Sequence, residues 1–156
     1  MEISTRILTF SEVIPFWKQL WYPKEDIQKR SGRLLITGFN KSIITNDDIK
    51  VTFFGAEVDG KIVGVNSGYT VVPDYRTSWG YRSRGLFVLP EYRGNGIAQQ
   101  LLQATEDQAN KEQKVILWSI PRKTALKTYK RFGFRVMSEF FEGEYGQNCF
   151  VVKGLL

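Results

Sequence analysis

Leu86-Phe87-Val88-Leu89-Pro90-Glu91-Tyr92-Arg93-Gly94-Asn95-Gly96-Ile97-Ala98 decides how this chain is read. An apolar run of strand formers stops at Pro90, a polar turn holding Gly94 and Gly96 follows, and an amphipathic segment begins. That order predicts a strand, a tight turn and a helix. The turn then carries the free N–H groups of the helix N-terminus, a receptor for a phosphate anion. Gly94 and Gly96 either let the backbone approach such an anion closely or serve only to reverse the chain. A dinucleotide loop requires G-x-G-x-x-G after an early strand, but residue 99 is Gln and this strand comes late. No G-x-x-x-x-G-K-[ST] run is present.

Outward from the turn, residues 96–110 read as a helix, with Ile97, Ala98, Leu101, Leu102, Ala104 and Thr105 on one face. Residues 115–120 read as a buried strand. Strand, helix and strand in that order imply a right-handed parallel crossover. Thr124 is expected to cap a further helix through Leu126, Tyr129 and Phe132, stopped at Gly133. Residues 134–141 and 149–153 are expected to pair as the last two strands.

Upstream, residues 51–58, the turn Asp59-Gly60 and residues 61–72 read as an antiparallel hairpin. A loop at 73–80 with Tyr75, Arg76 and Trp79 leads into a strand at 81–89. At the N-terminus a strand at 3–10 precedes a helix capped by Ser11 with Glu12, in which Phe16, Trp17, Leu20 and Trp21 recur at helical spacing. Pro15 obscures where that helix starts. Residues 23–32 suggest a short charged helix, and 33–48 carry no clear signal. The fold class is α/β with a mixed sheet.

With 156 residues and no repeat or linker, a single domain over 1–156 is expected. No apolar run approaches the roughly 20 residues of a membrane span. The first residues lack signal-peptide form, and the lone Cys149 fits a reducing compartment, so a cytoplasmic location is expected. The chain has no histidine. Ser-His-Asp and Cys-His nucleophiles, His general bases and the common zinc sites are thereby excluded, and no metal is expected. The 22 Lys plus Arg against 16 Asp plus Glu give a net charge of +6, which favours anionic partners or serves solubility. Basic residues form no arm, and no nucleic-acid motif is present, which argues against nucleic acid as the partner.

The chain resembles the GNAT superfamily of acyl-CoA-dependent N-acyltransferases in two places. The first is the family signature [RQ]-x-x-G-x-[GA] entered from V-x-P-x-Y: here Val88-Leu89-Pro90-Glu91-Tyr92, then Arg93-Gly94-Asn95-Gly96-Ile97-Ala98. The second is the later helix A-x-x-x-Y-x-x-x-G-F: here Ala125 to Phe134, with Tyr129 at the tyrosine. Residues 81–141 carry the likeness well, and the first half only by strand order. The resemblance implies a mostly antiparallel sheet of about seven strands, with a splayed parallel pair at the cofactor cleft and about four flanking helices.

The resemblance further implies acetyl-CoA as cosubstrate, its pyrophosphate on the N–H groups of Arg93, Gly94, Asn95, Gly96, Ile97 and Ala98, and its pantetheine arm along the backbone of Leu86, Phe87 and Val88. An amine then attacks the thioester directly, with no covalent enzyme intermediate. Tyr129 falls where the family commonly has its general acid, and a phenol near 10 suits a thiol near 8.5, roughly. Backbone N–H near Val88 would polarise the carbonyl. Two positions depart from the pattern. Some relatives carry Glu early in the strand before the loop, where this chain has Tyr81, Arg82, Ser83 and Arg84. Glu57, Glu142 and Glu144 are replacement bases or plain surface charges, and a water chain is an equal alternative. Relatives often have Asn where this chain has Arg122, which either meets a CoA phosphate or is solvated.

The resemblance likewise implies an amine acceptor, on a small molecule or a peptide. Trp17, Trp21, Tyr22, Tyr75 and Trp79 either line an aromatic acceptor cleft or belong to the core, and the helical pair Trp17 and Trp21 fits the core better. Arg76, Arg82 and Arg84 hint at an acceptor with a carboxylate or phosphate, or an acidic protein tail. A catalytically inactive domain that binds acyl-CoA as sensor or scaffold is the alternative function. Homodimerisation is left open.

Overall fold

In the computed structural model, residues 1–21, 49–71, 79–143 and 146–155 are described. The expectations for 23–32 and 33–48, and for Tyr22, Tyr75, Arg76 and Glu144, lie outside the described residues. The elements are β1 (Ser4–Leu8), α1 (Phe10–Trp21), β2 (Ile49–Val58), β3 (Lys61–Val71), β4 (Gly80–Val88), α2 (Ile97–Lys111), β5 (Ile116–Ser119), α3 (Leu126–Phe132), β6 (Arg135–Val136), β7 (Phe141–Gly143), β8 (Gly146–Asn148) and β9 (Val151–Gly154).

A seven-stranded sheet runs β1-β2-β3-β4-β5-β9-β6, with β7 and β8 as a separate hairpin. Every pair in the large sheet is antiparallel except β4 with β5. The mixed α/β sheet and its parallel pair are therefore as expected, while the described residues hold three α-helices rather than four. The β2–β3 turn falls at Asp59-Gly60, whose φ of 51° and 76° give the primed geometry that matches strand twist.

Alternation along β2 sends neighbouring residues to opposite faces. Phe53 packs with Leu8, Val13, Trp17, Trp21, Val65 and Phe87 under α1. Phe54 packs with Ala56, Val63, Val88, Ile97 and Leu101 under α2. A third cluster joins Tyr81, Leu102, Leu117, Tyr129, Phe134 and Val151 around α3. Two layers of helix thus clamp the sheet, and α1 and α3 reach β4 from different clusters.

Three local expectations are corrected. The cap of α1 is Thr9, not Ser11, and α1 begins at Phe10. Thr9 Oγ1 accepts from the Glu12 amide at 3.3 Å and the Thr9 amide donates to Glu12 Oε1 at 2.9 Å, a reciprocal capping box. Thr124 caps nothing. It lies in a 3-10 turn, Lys123–Ala125, closed by Ala125 N–H on Arg122 O at 2.8 Å, and α3 starts from Ala125 without a side-chain bond. Lastly, 134–141 is not one strand. Only Arg135–Val136 pairs with β9, because Ser138 Oγ takes the Phe150 amide at 2.8 Å and the chain then turns out into the β7–β8 hairpin.

The α1 cap gives a first prediction. Thr9→Ala should cost about 1 kcal/mol, read as a lowered urea midpoint with unchanged slope. The Arg6 side chain, then the Thr9 amide, hold the Glu12 carboxyl at about 2. A depressed carboxyl stabilises above its unfolded value, so the cap's contribution is complete above the ordinary Glu range and fades as pH falls toward 2.

Candidate active site

The turn after β4 leads straight into the N-terminus of α2. Leu89 N–H bonds Val63 O at 2.9 Å, Arg93 N–H bonds Pro90 O at 3.3 Å, and the chain enters α2 through Gly96. Gly94 and Gly96 have φ of 81° and 78°, a left-handed conformation that only glycine adopts without strain. A Cβ on either would meet nothing within 4 Å, so the glycines set the backbone path and the approach side is open. Gln100 N–H is the first to bond back, to Gly96 O at 3.1 Å. Helix geometry leaves the N–H groups of Ile97, Ala98 and Gln99 ahead of that bond, pointing along the helix axis.

Of the expected binding residues, Arg93, Gly94, Asn95 and Gly96 are exposed, Ala98 is half-buried, and Ile97 is core. Asn95 Nδ2 turns inward to Tyr92 O at 3.0 Å, fixing the loop. Arg93 is anchored: its Nε bonds Val88 O at 2.9 Å and its guanidinium lies 5.5 Å from the Phe87 ring centre. Phe87 and Val88 are buried, and Leu86 is half-buried.

The outward edge of β4 is made available by a splay. β4 pairs with β5 only over Gly80–Ile116, Tyr81–Leu117 and Arg82–Trp118. Beyond Arg82 the two strands part. On its other edge β4 carries a bulge, since the register steps from Val65–Phe87 to Ser67–Arg84. The bulge is held by Gly85 at φ 83°, by Trp17 Nε1 donating to Gly85 O at 2.9 Å, and by Ser67 Oγ donating to Arg84 O at 2.6 Å.

A cleft of about 250 Å³ opens in the splay, lined by Ser83, Arg84 and Leu86 of β4, Ser119 of β5, Trp21, Arg122 and Tyr129. Tyr129 is 3% exposed, its ring edge-on to Phe134 at 5.0 Å and its Oη 3.0 Å from Ser83 Oγ. Burial pushes the Tyr129 phenol up, while hydrogen bonds from Ser119 and Ser83 and the charge of Arg82 pull it partly back. The group is therefore protonated at neutral pH and held inside a polar wall. Ser83 also accepts from Asn66 Nδ2 at 2.9 Å, and Ser119 Oγ donates to Ser83 O at 2.6 Å, stapling the two strands just where their ladder ends.

The cleft is basic. Arg84 is 7% exposed with its guanidinium 4.5 Å from the Trp21 ring centre, and Arg82 donates to Tyr69 Oη at 2.9 Å over Trp118. Burial first, then the charge of Arg93, lowers the hold of Arg122 on its proton, so these two guanidinium groups share one region between cleft and loop. Among the described residues no carboxylate lines the cleft. Glu57 pairs with Arg6 at 3.2 Å on β2, and Glu142 is exposed on β7. Trp17 is wholly core, Trp21 is both core and cleft wall, and Trp79 is 70% exposed.

Sequence reasoning missed Ser83 and Ser119 as cleft residues and Asn66 behind them. The only local signal was Gly85, a lone glycine inside a strand pattern, which marks a bulge.

The comparisons follow the same lines. A family profile described as an acetyltransferase (GNAT) domain matches residues 50–136. An acetyltransferase of the GNAT family from Staphylococcus aureus Mu50 is similar at TM-score 0.72 and 17% identity, over 99% of this chain and 100% of that one. An N-acetyltransferase from the same organism is similar at 0.70 and 15%, over 100% of both chains. The yncA protein of Salmonella typhimurium, solved with its cofactor acetyl-CoA, is similar at 0.68 and 13%, over 99% and 95%. At these identities the likeness is one of fold. Among curated proteins no sequence matches this chain.

Proposed function

The chain belongs to the GNAT acetyltransferase family, and on that premise we propose that it works as one domain, residues 1–156, moving an acetyl group from acetyl-CoA to a primary amine. The observation that carries this reading is the parallel pair that stops at Arg82–Trp118 and opens onto a cleft holding Tyr129. The phosphate-receiving turn lies at the far end of the same strand.

The residues fit the cosubstrate. Positive φ at Gly94 and Gly96 aligns the N–H groups through Ala98 for a pyrophosphate, with Arg93 and Arg122 adding charge beside it. Beyond its ladder with β5, the β4 edge from Leu86 to Val88 offers backbone to an extended arm, as in strand addition, with Val88 O already held by Arg93. Bound acetyl-CoA supplies the activated acyl group as a thioester. Tyr129 Oη holds the proton that leaves with the thiol sulfur. Ser83 and Ser119 keep the phenol in place. The Salmonella relative, which carries acetyl-CoA, accords with this choice of cosubstrate.

Arg82, Arg84 and Trp21 shape the amine end. An alkylammonium near 10.4, roughly, must lose a proton before attack, and with no carboxylate lining the described cleft, water carries it away. That same lack of a carboxylate favours, as second reading, an inactive acyl-CoA-binding domain. No α-helix among the described residues is long and apolar enough to cross a membrane, and the reading is of a protein acting in the cytoplasm.

Thiol release from acetyl-CoA is measured across polyamines, amino acids, aminoglycosides and peptides. Amine-dependent release supports the transferase; tight acyl-CoA binding without product from any amine selects the second reading. Arg122→Ala should raise the KM for acetyl-CoA about ten-fold with kcat little changed, the pattern of lost uniform binding. An unchanged KM removes Arg122 from the anion site.

A further inference from the structure

Behind Tyr129 a line of buried polar side chains runs from the cleft to α2. Tyr129 Oη is 3.0 Å from Ser83 Oγ, Asn66 Nδ2 is 2.9 Å from both Ser83 Oγ and Thr105 Oγ1, and Thr105 Oγ1 donates to Leu101 O at 2.8 Å. Asn66, Ser83 and Thr105 are fully buried. A buried polar group in a strand that packs between two helices needs a reason, and hydrogen-bond bookkeeping supplies one.

Thr105 has a single hydroxyl hydrogen, and Leu101 O takes it. Toward Asn66 it therefore offers only a lone pair, and Asn66 must present its amide nitrogen. The second hydrogen of that nitrogen goes to Ser83 Oγ. Turning the amide over would leave two buried N–H groups without acceptors, in place of the one carbonyl oxygen, Oδ1, that now lacks a partner among the described residues. The observed orientation is the cheaper. Since Ser83 accepts from Asn66, its own hydrogen is left for Tyr129 Oη.

On the far side of Tyr129, Ser119 Oγ donates to Ser83 O at 2.6 Å and ties β5 to β4 beside the phenol. Donation thus runs one way along the line, from Asn66 to Ser83 to Tyr129.

We propose that Asn66, oriented by Thr105, is a positioning residue that makes Ser83 donate to Tyr129 Oη, so that the phenol's own proton points away from β4 into the cleft. The inference rests on Tyr129 as the acid. In the step itself the Tyr129 O–H bond breaks as the S–H bond forms on the departing thiolate, and the phenolate is stabilised by the Ser83 hydrogen until a proton released by the amine restores it through water. A line running the other way would hold the proton on Ser83 and leave the phenolate without a donor.

The test follows the Tyr129 phenol directly, by ring-carbon NMR of the tyrosine-labelled protein through the alkaline range, alongside kcat against pH. Ser83→Ala should raise the Tyr129 titration by about one pH unit, because a donor to the phenolate is lost. The alkaline limb of kcat should move up with it, and kcat at neutral pH should fall about ten-fold with KM unchanged. Asn66→Asp, which accepts where Asn donates, should shift both in the same direction, and Thr105→Val, which frees the amide to turn, by less. Ser83→Thr should restore both readouts. A folded Ser83→Ala protein with unmoved Tyr129 titration overturns the proposal. So does an equal kcat loss from Ser83→Ala in the wild-type and Tyr129→Phe backgrounds, since a positioning residue has nothing to act through in the latter. Should Asn66→Asp fail to fold, Ser83→Ala and Thr105→Val decide alone. Wild-type turnover in Tyr129→Phe would sink the acid assignment instead, and the titration shift would still report on the direction of the line.

Discussion

Tyr129→Phe is expected to lower kcat by about a hundred-fold or more while leaving the KM for acetyl-CoA near the wild-type value, the share usually carried by one well-placed general acid. The substitution keeps the ring that packs edge-on against Phe134 and removes one oxygen from a buried site. The loss of the Oη acceptor leaves the Ser83 hydrogen unmet, which costs about 1 kcal/mol of stability, too little to unfold the protein. Burial raises the phenol, so the wild type should stay active beyond the ordinary tyrosine range and lose activity only as pH climbs through the raised value. The acid works protonated, so the limb is alkaline, and in Tyr129→Phe that limb should vanish along with the rate. Steady-state kinetics across pH read both effects. A variant with undiminished kcat, or with the same alkaline limb, takes Tyr129 out of the chemistry.

How far the sequence speaks for itself depends on whether a feature is local. Gly94, Gly96 and Gly133 each sit at positive φ, and Asp59-Gly60 forms the expected turn, because a left-handed backbone leaves few residue choices and so marks the sequence. The stripe of α2 was legible for the same reason, its period being a property of one segment. Side-chain caps are less secure. Thr9 and Ser11 are equally good candidates by residue type, and only the reciprocal bond with Glu12 separates them. The terminal strands misled because one serine, Ser138, replaces a ladder bond with its side chain, a choice that no alternation pattern records. The line through Asn66, Ser83, Thr105 and Ser119 was invisible. Those residues come from β3, β4, α2 and β5, and polar side chains scattered over four elements carry no periodic signal until the fold assembles them.

Gly85→Ala should be among the more damaging glycine substitutions in the described residues, and its comparison with Gly94→Ala says why. Both glycines have nearly the same φ, 83° and 81°, so a Cβ at either carries the same left-handed strain, about 1 to 2 kcal/mol. At Gly94 nothing lies within 4 Å of the added carbon. At Gly85 it would sit 2.3 Å from Trp17 Nε1 and 2.4 Å from the neighbouring indole carbon. Trp17 cannot step aside cheaply: it is wholly buried, packed against Phe10, Trp21 and Phe53, and its N–H bonds the carbonyl of Gly85 itself. Displacing it breaks that bond and opens the α1 core, which brings the total to about 4 kcal/mol, a large part of the stability of a domain this size. The loss also reaches the cleft, because Gly85 holds the bulge beside Arg84 and Leu86, and Trp21 behind Arg84 leans on Trp17. Denaturant unfolding of the two variants should therefore separate them by roughly 2 to 3 kcal/mol, the difference being the clash alone. Equal costs would mean that α1 yields to the added methyl, and the bulge would then owe its place to backbone conformation rather than to the tryptophan packed on it.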